Sequence, residues 1–474
     1  MMKGDSMKSK VAILHTNDLH SHLENFPAIK RFFQTQTAAL SQQGYRVLRF
    51  DDGDAMDRFD PLTEATNGQG IVQWLNEMHY DAVTIGNNEA LTNSHKQLDH
   101  LYDHANFPVI LDNVLDSKTG QLPHWATTHR DFVLDNGTRL RLLGLTFPYP
   151  TFQAMGWTAE SVFGTLDRCL QEWAGQYDQL ILLSHLGINY DRELAKRYPE
   201  LKVIIGGHTH HLLAHGEVVQ QTLLTAAEKW GHYVGQITFE VDQAGLYQQQ
   251  AQVFRSTDLP REAGDQAEVA AAEATGHRLL AAQKIARVPQ RYQTSLTDDN
   301  PLVQLGLQAM MASTNAQAAV LNTGLFLHDL PAGIVNMDQL QQILPHNIHV
   351  MKTELWGYDL WRLFQEMEKN KNFLIRFPQK GMGFRGKYFG RLVYAGISYD
   401  TEKQQLYWHH ELVVPEKRYT IALLDHYEFI PFFPTIGIVG KNQIDFNGNI
   451  RTVLAKYLSQ EFPLGGGSHG TQSD

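Results

Sequence analysis

The chain has 474 residues, 43% hydrophobic and 10% aromatic, which exceeds what one hydrophobic core organises and predicts two or more globular domains. Its formal net charge of −11, with 40 basic against 51 acidic residues and no long Lys or Arg run, argues against polymeric nucleic acid as a partner. A single cysteine, Cys169, excludes an intrachain disulfide and with it a disulfide-stapled fold.

Residues 1–10 are polar and basic without an apolar core, and no apolar run approaches membrane-spanning length. A cytoplasmic protein that is not bound to a membrane is expected. From residue 11 to about 242, short apolar runs alternate with longer amphipathic stretches such as 28–42 and 68–79, the pattern of an α/β layered domain. Five runs each end in a polar cluster. Residues 10–14 lead into Asp18 and His20, and 47–50 into Asp51, Asp52, Gly53 and Asp54. Residues 82–85 lead into Gly86, Asn87, Asn88 and Glu89, residues 180–184 into His185, and 203–205 into Gly206, Gly207, His208, Thr209 and His210. Runs of this length flanked by Gly or Asp read as buried strands with ligands at their C-terminal ends, where α/β sheets place their sites.

Cys169 falls in an amphipathic stretch and reads as a packing residue. The alternating segment 235–242 suits an antiparallel strand that closes the first domain. Residues 265–286 are rich in Ala and Glu with few large apolar side chains and read as a connecting helix. The expected boundaries are 1–257 for the first domain, 258–290 for the connection, 291–464 for a second domain and 465–474 for a frayed tail. Within the second domain, 302–312 reads as a helix, 318–321 as a strand, 338–344 as a helix and 351–368 as a strand running into a helix.

A phosphate-ester hydrolase needs a nucleophile at neutral pH and a sink for negative charge, and two divalent cations supply both. Asp18, His20, Asp54, Asn87, His185, His208 and His210 offer the mixture of carboxylate, amide and imidazole donors such a pair requires. Taken singly the motifs are common; their ordered combination is specific. The donor mix suits manganese, iron, zinc or cobalt alike.

These motifs resemble the calcineurin-like metallophosphoesterase superfamily, in its bacterial 5'-nucleotidase, UDP-sugar hydrolase and cyclic nucleotide phosphodiesterase branch. The branch pattern L-H-T-N-D-x-H stands at 14–20, G-D at Gly53 and Asp54, G-N-H-E at 86–89 as Gly86-Asn87-Asn88-Glu89, and G-H-T-H at 207–210. The resemblance implies a four-layer αββα sandwich followed by a C-terminal α/β domain that sets substrate specificity. It also implies that Asp18, His20 and His210 hold one metal, that Asn87, His185 and His208 hold the other, and that Asp54 bridges them. The implied substrate is a small nucleotide or related phosphate ester.

The chain departs from that pattern at the catalytic pair, with Asn88 where the family has a histidine and Leu91 where it has an aspartate. An amide donates a hydrogen bond but delivers no proton to a leaving alkoxide. Three outcomes stay open: another histidine, His22 or His95 being nearest in sequence, takes the role; the substrate carries a good leaving group; or the protein binds a nucleotide or metal without turnover.

In the second half, Asn322 begins a segment similar to the family's N-S-G-G-I-R, without its arginine, and His346 stands where L-P-F-G-N has Phe-Gly. The base-stacking G-G-D-G-Y motif is missing. The aromatic cluster Tyr427, Phe429, Phe432 and Phe433 is either its replacement, sandwiching a base, or core packing. Residues 381–386 spell G-x-G-x-x-G, but no strand leads in and no helix follows, which argues against a dinucleotide fold. Arg385 in that loop, with Lys387 and Arg391, is a candidate phosphate contact, against the alternative of solvated charges on a hairpin.

Overall fold

The computed structural model describes residues 8–379 and 384–465. Gly381, Met382 and Gly383 of the glycine-rich loop, and all of the expected tail except Gly465, lie outside them. The chain divides into two compact units, Met1–Gly276 and His277–Asp474, and the division falls inside the helix Asp265–Ala282.

The first unit is built on two sheets. In the seven-stranded sheet the order is Gly245–Arg255, Tyr233–Asp242, Ser9–Thr16, Tyr45–Asp51, Ala82–Val83, Val109–Ile110 and Ala126–Thr127. In the six-stranded sheet it is Glu217–Val219, Thr222–Thr225, Leu201–Gly206, Gln179–His185, Arg139–Thr146 and Arg130–Val133. Strand periodicity turns alternate residues to opposite faces. Val11, Ile13, Leu48, Phe50, Ile237 and Phe239 of the first sheet therefore meet Leu140, Leu142, Ile181, Leu183, Val203 and Ile205 of the second in one buried layer.

The outer faces are covered by helices. Leu143, Leu145, Leu180, Leu182 and Ile204 bury against Val162, Leu166 and Cys169 of the helix Val162–Glu172 and against Leu194 of Ile188–Arg197. The helix Phe26–Gln42 packs on Tyr45–Asp51 from the other side. The result is the αββα sandwich, and Cys169 is a buried packing residue within it. Tyr233–Asp242 pairs antiparallel with Ser9–Thr16, as its alternation suggests.

One strand is shorter than its apolar run. Only Ala82–Val83 is strand, because the chain turns at Gly86 directly into the helix Asn87–Thr92. Thr84 N still bonds Asp51 O at 3.0 Å, so the segment stays registered to its neighbour.

The second unit has a five-stranded sheet in the order Leu392–Ala395, Ala318–Asn322, Arg418–Leu424, His349–Trp356 and Lys441–Asn449. Helices Pro301–Thr314, Met337–Ile343, Gly357–Leu374 and Ile450–Glu461 cover it. They share its apolar core through Leu307, Leu340, Leu363 and Leu454. Among the described residues no helix is long and apolar enough to cross a membrane.

Candidate metal centre

The ligand loops leave the two sheets at the C-terminal ends of parallel strands. Ser9–Thr16 and Tyr45–Asp51 run in register to Thr16 and Asp51, and the loops beyond them zip together. Asp18 N bonds Gly53 O at 3.0 Å, His20 N bonds Asp54 O at 2.9 Å, and Ser21 N bonds Ala55 O at 3.0 Å. In the other sheet Ser184 is level with Gly206, and Gly207 N bonds Ser184 O at 3.0 Å. Backbone strain collects at the same places. Asp18, His20, Asp54, His208 and His210 all have φ between 48° and 67°. A left-handed backbone costs a non-glycine residue of order 1 kcal/mol, and it persists where the surroundings over-determine it for function.

Glu89 binds the loops to one another. Its buried carboxylate accepts from Gly86 N at 2.8 Å, Ala55 N at 2.8 Å, Asp54 N at 3.0 Å and Met56 N at 3.3 Å. Gly86 has to be glycine, because a Cβ there would lie 2.1 Å from Asp54 Oδ1 and 2.6 Å from His185 Nε2.

Two sets of donors converge: Asp18, His20 and His210, and Asp18, Asp54 and His185. His20 Nε2 and His210 Nε2 face each other at 3.3 Å, with Asp18 Oδ1 3.5 Å from the second. Asp54 Oδ2 stands 3.8 Å from His20 Nε2 and 3.4 Å from His185 Nε2, and Asp18 Oδ1, common to both sets, stands 3.9 Å from each of the same nitrogens. Alongside, His208 Nδ1 lies 2.9 Å from Asn87 Oδ1. Five of the seven sequence-predicted donors fall in these two sets, and the other two, His208 and Asn87, pair beside them, with the His208 ring 5.3 Å from that of His185.

The electrostatics ask for positive charge. Burial pushes the Asp54 carboxyl up, but His185 and His20 outweigh it and hold the group below the usual carboxylate range. Burial likewise pushes His185 down, yet Asp54 and Asp18 hold its imidazole well above its ordinary value. His185 Nε2 is fully buried without a hydrogen-bond partner. Burial and the charge on His185 bring His208 down to about 4, leaving a neutral imidazole ready to ligate. Two buried carboxylates, bare imidazole nitrogens and an orphaned ring nitrogen fit divalent transition metal ions.

Asn88 is wired into this centre. Its Nδ2 lies 2.8 Å from His20 Nδ1 and donates to Met56 O at 3.0 Å, and its backbone N donates to Asp54 Oδ1 at 2.7 Å. Of the two histidines nearest in sequence, His95 is engaged through both ring nitrogens and His22 through one. His95 stacks on Trp157 at 4.0 Å and 10°, with Nδ1 3.1 Å from Asp99 and Nε2 3.0 Å from Asp116. His22 stacks on Trp230 at 4.5 Å and bonds Glu24 at 3.0 Å.

Three contributors were not singled out from sequence. Glu89 carried a signal in its motif position. Asp52 carried an ambiguous one: both its oxygens are buried without partners, and burial keeps its carboxyl well above the usual range. Tyr149 carried none; its hydroxyl lies 3.3 Å from His208 Nε2, and burial with the nearby Asp54 pushes the phenol up to about 12.

In the second unit the expectation for two residues is corrected. Asn322 and Tyr427 are fully buried; Tyr427 Oη donates to Asn322 Oδ1 at 2.7 Å and Asn322 Nδ2 donates to Phe389 O at 2.6 Å. Their polar atoms are spent on each other and on the backbone, so neither offers a face to a substrate. Phe433 is buried with them, whereas Phe429 is 52% exposed and Arg385 is exposed. Arg385 Nη1 reaches the carbonyl of Phe384 at 3.3 Å.

Paired sheets with candidate metal donors on the loops at their strand ends, joined to a second α/β unit, have the arrangement of a metallophosphoesterase. The profile of the family described as calcineurin-like phosphoesterase matches residues 11–212, and that of the 5'-nucleotidase C-terminal domain matches 278–428. A Bacillus subtilis protein named Uncharacterized metallophosphoesterase YunD is 35% identical over 466 residues, covering 96% of this chain and 100% of that one. The Trifunctional nucleotide phosphoesterase protein YfkN of Bacillus subtilis is 28% identical over 276 residues, 50% of this chain and 18% of its own length. Among solved structures, the Haemophilus influenzae NAD nucleotidase shares the fold, with a TM-score of 0.64 at 15% identity over 96% of this chain and 97% of that one. The chain belongs to the calcineurin-like phosphoesterase family and carries that family's 5'-nucleotidase C-terminal domain. It is accordingly a hydrolytic enzyme of phosphoesters in a family that uses divalent metal ions.

Proposed function

We propose that this chain is a two-metal phosphohydrolase acting in the cytoplasm on nucleotides or related phosphate esters, of 5'-nucleotidase, nucleoside diphosphate sugar hydrolase or cyclic nucleotide phosphodiesterase type. Asp18, His20 and His210 would hold one ion, Asn87, His185 and His208 the other, with Asp54 shared between them. The observation that carries this reading is the position of Asp54 Oδ2, 3.8 Å from His20 Nε2 and 3.4 Å from His185 Nε2. When bound, the metal pair supplies a hydroxide at neutral pH and draws off the charge of the phosphoryl oxygens.

The chain's own residues do the rest. Glu89 fixes the loop that carries Asp54, and the Asn88 N–H steadies the other Asp54 oxygen. Asn88 has no proton to give a departing alkoxide, and its amide is already committed to His20 and Met56. General acid catalysis is worth ~10²–10⁴-fold, and poor leaving groups lose most without it. Diphosphates and cyclic phosphodiesters are thus favoured over nucleoside monophosphates. Nucleotides as the class are supported by the names of the relatives and by the C-terminal domain. Exposed Phe429 and Arg385 are the candidates left for contact with the organic part of the substrate.

The test is a substrate panel of monophosphates, diphosphate sugars and cyclic nucleotides, run on metal-loaded protein beside Asp54→Ala. Turnover of at least one ester, lost in the variant, supports the reading. Protein that holds both metals yet is inert on all of them overturns it. A second reading, a nucleotide- or metal-binding protein with impaired turnover, is favoured by the missing His/Asp pair at Asn88 and Leu91. Turnover abolished by chelation and restored by manganese or zinc excludes it. Cell fractionation tests the cytoplasmic setting, which export of the protein would overturn.

A further inference from the structure

We infer that Tyr149 is a positioning residue that fixes which nitrogen of His208 faces the second metal position, an inference that rests on the two-metal reading. A neutral imidazole carries one N–H, and it ligates through its bare nitrogen, so the proton has to be held on the other side of the ring. His208 has an oxygen on each side: Asn87 Oδ1 is 2.9 Å from Nδ1 and Tyr149 Oη is 3.3 Å from Nε2. On the two-metal reading Asn87 would share the second ion, so Nδ1 would be the ligating atom and Nε2 would carry the proton. Tyr149 Oη is then the acceptor for Nε2–H.

A hydroxyl suits this post because it serves both states of the ring. Without metal, Nδ1–H donates to Asn87 Oδ1 and the phenol donates to Nε2. With Nδ1 engaged by a metal, the phenol would turn its hydrogen away and accept from Nε2–H. Phenylalanine would serve neither state.

The surroundings hold this geometry. Phe147 stacks on His208 at 5.3 Å and 23°, and the Tyr149 ring meets it edge-on at 5.9 Å and 76°. The loop is fastened at its base, where Phe147 N bonds the carbonyl of His185 at 3.0 Å and Tyr149 N bonds Phe147 O at 2.9 Å. One loop thus reads the positions of both histidines.

The test titrates metal-free protein with Co²⁺ alone, following heat and the visible absorption of the bound ion, for wild type, Tyr149→Phe and Tyr190→Phe. Tyr149→Phe deletes one oxygen from a partly buried ring. Tyr190→Phe is the control, since Tyr190 meets Phe147 edge-on at 5.7 Å but does not bond His208. The expected result is two equivalents in wild type and Tyr190→Phe. In Tyr149→Phe one equivalent is weakened ~10–100-fold with an altered spectrum and the other is unchanged, the usual cost of losing an outer partner of a metal-bound histidine. Tyr149→Phe that binds both equivalents with wild-type affinity and spectrum overturns the inference. Wild type that takes up fewer than two overturns the two-metal reading itself, a distinguishable failure that removes this inference with it.

Discussion

Asn88 Nδ2 lies 2.8 Å from His20 Nδ1, so the residue standing where the family pattern that the sequence resembles has a histidine is bonded to the ring of a candidate metal ligand. The amide at this position braces His20, and through Met56 O it ties that brace to the Asp54 loop.

Replacing Asn88 with leucine keeps the branched outline and deletes the bonds to His20 and Met56. Metal affinity is expected to fall ~10–100-fold, with turnover recovering at excess metal. Metal-dependence curves check this. Loss of turnover that no metal concentration restores would mean that Asn88 acts on the substrate itself.

Asn88→His offers the reacting ester a titratable group. Hydrolysis of monophosphates is expected to rise relative to diphosphates, toward the ~10²-fold lower end of what general acid catalysis supplies. Parallel assays of kcat/KM on the two substrate types decide it, and equal changes on both would argue against leaving-group chemistry.

Metal removal should register in stability as well as activity. A ligand at 100 times its Kd adds about 2.7 kcal/mol to the state that binds it, so chelation is expected to lower the melting temperature of the first unit and re-addition to restore it. Differential scanning calorimetry with and without chelator tests this. An unchanged transition would show that no ion was bound.

Two buried histidines make the second unit sensitive to acid. Burial brings His346 down to about 3 and His426 down to about 4, from an ordinary 6.5. Below pH 6.5 the unfolded chain takes up protons that the folded one refuses, so stability is full above 6.5 and falls as pH drops toward 4. The slope is about 1.4 kcal/mol per pH unit for each histidine. Urea unfolding of wild type and His426→Phe at pH 7 and pH 5 should show a shallower acid loss in the variant.

Tyr427→Phe removes the donor to Asn322 Oδ1 and leaves that oxygen buried without a partner. The expected cost is about 1–3 kcal/mol of stability, with KM unchanged. A raised KM at unaltered stability would return Tyr427 to the substrate.

What the sequence determined by itself was local. Apolar runs ending in Asp, Asn and His marked the strand ends, because strand burial and donor chemistry are both written into short segments. The seven candidate donors were read the same way, since each motif carries its own oxygen or nitrogen atom. Even the helix Gly357–Leu374 after the strand His349–Trp356 was legible as a change of period. Only the tertiary structure decided which atoms meet across long separations. Tyr149 reaches His208 from 59 residues away, and Tyr427 is used up by Asn322 at a separation of 105. An aromatic side chain reads the same in sequence whether it stacks on a ligand or fills a core. The difference is made by which partner folding brings within bonding distance of its hydroxyl.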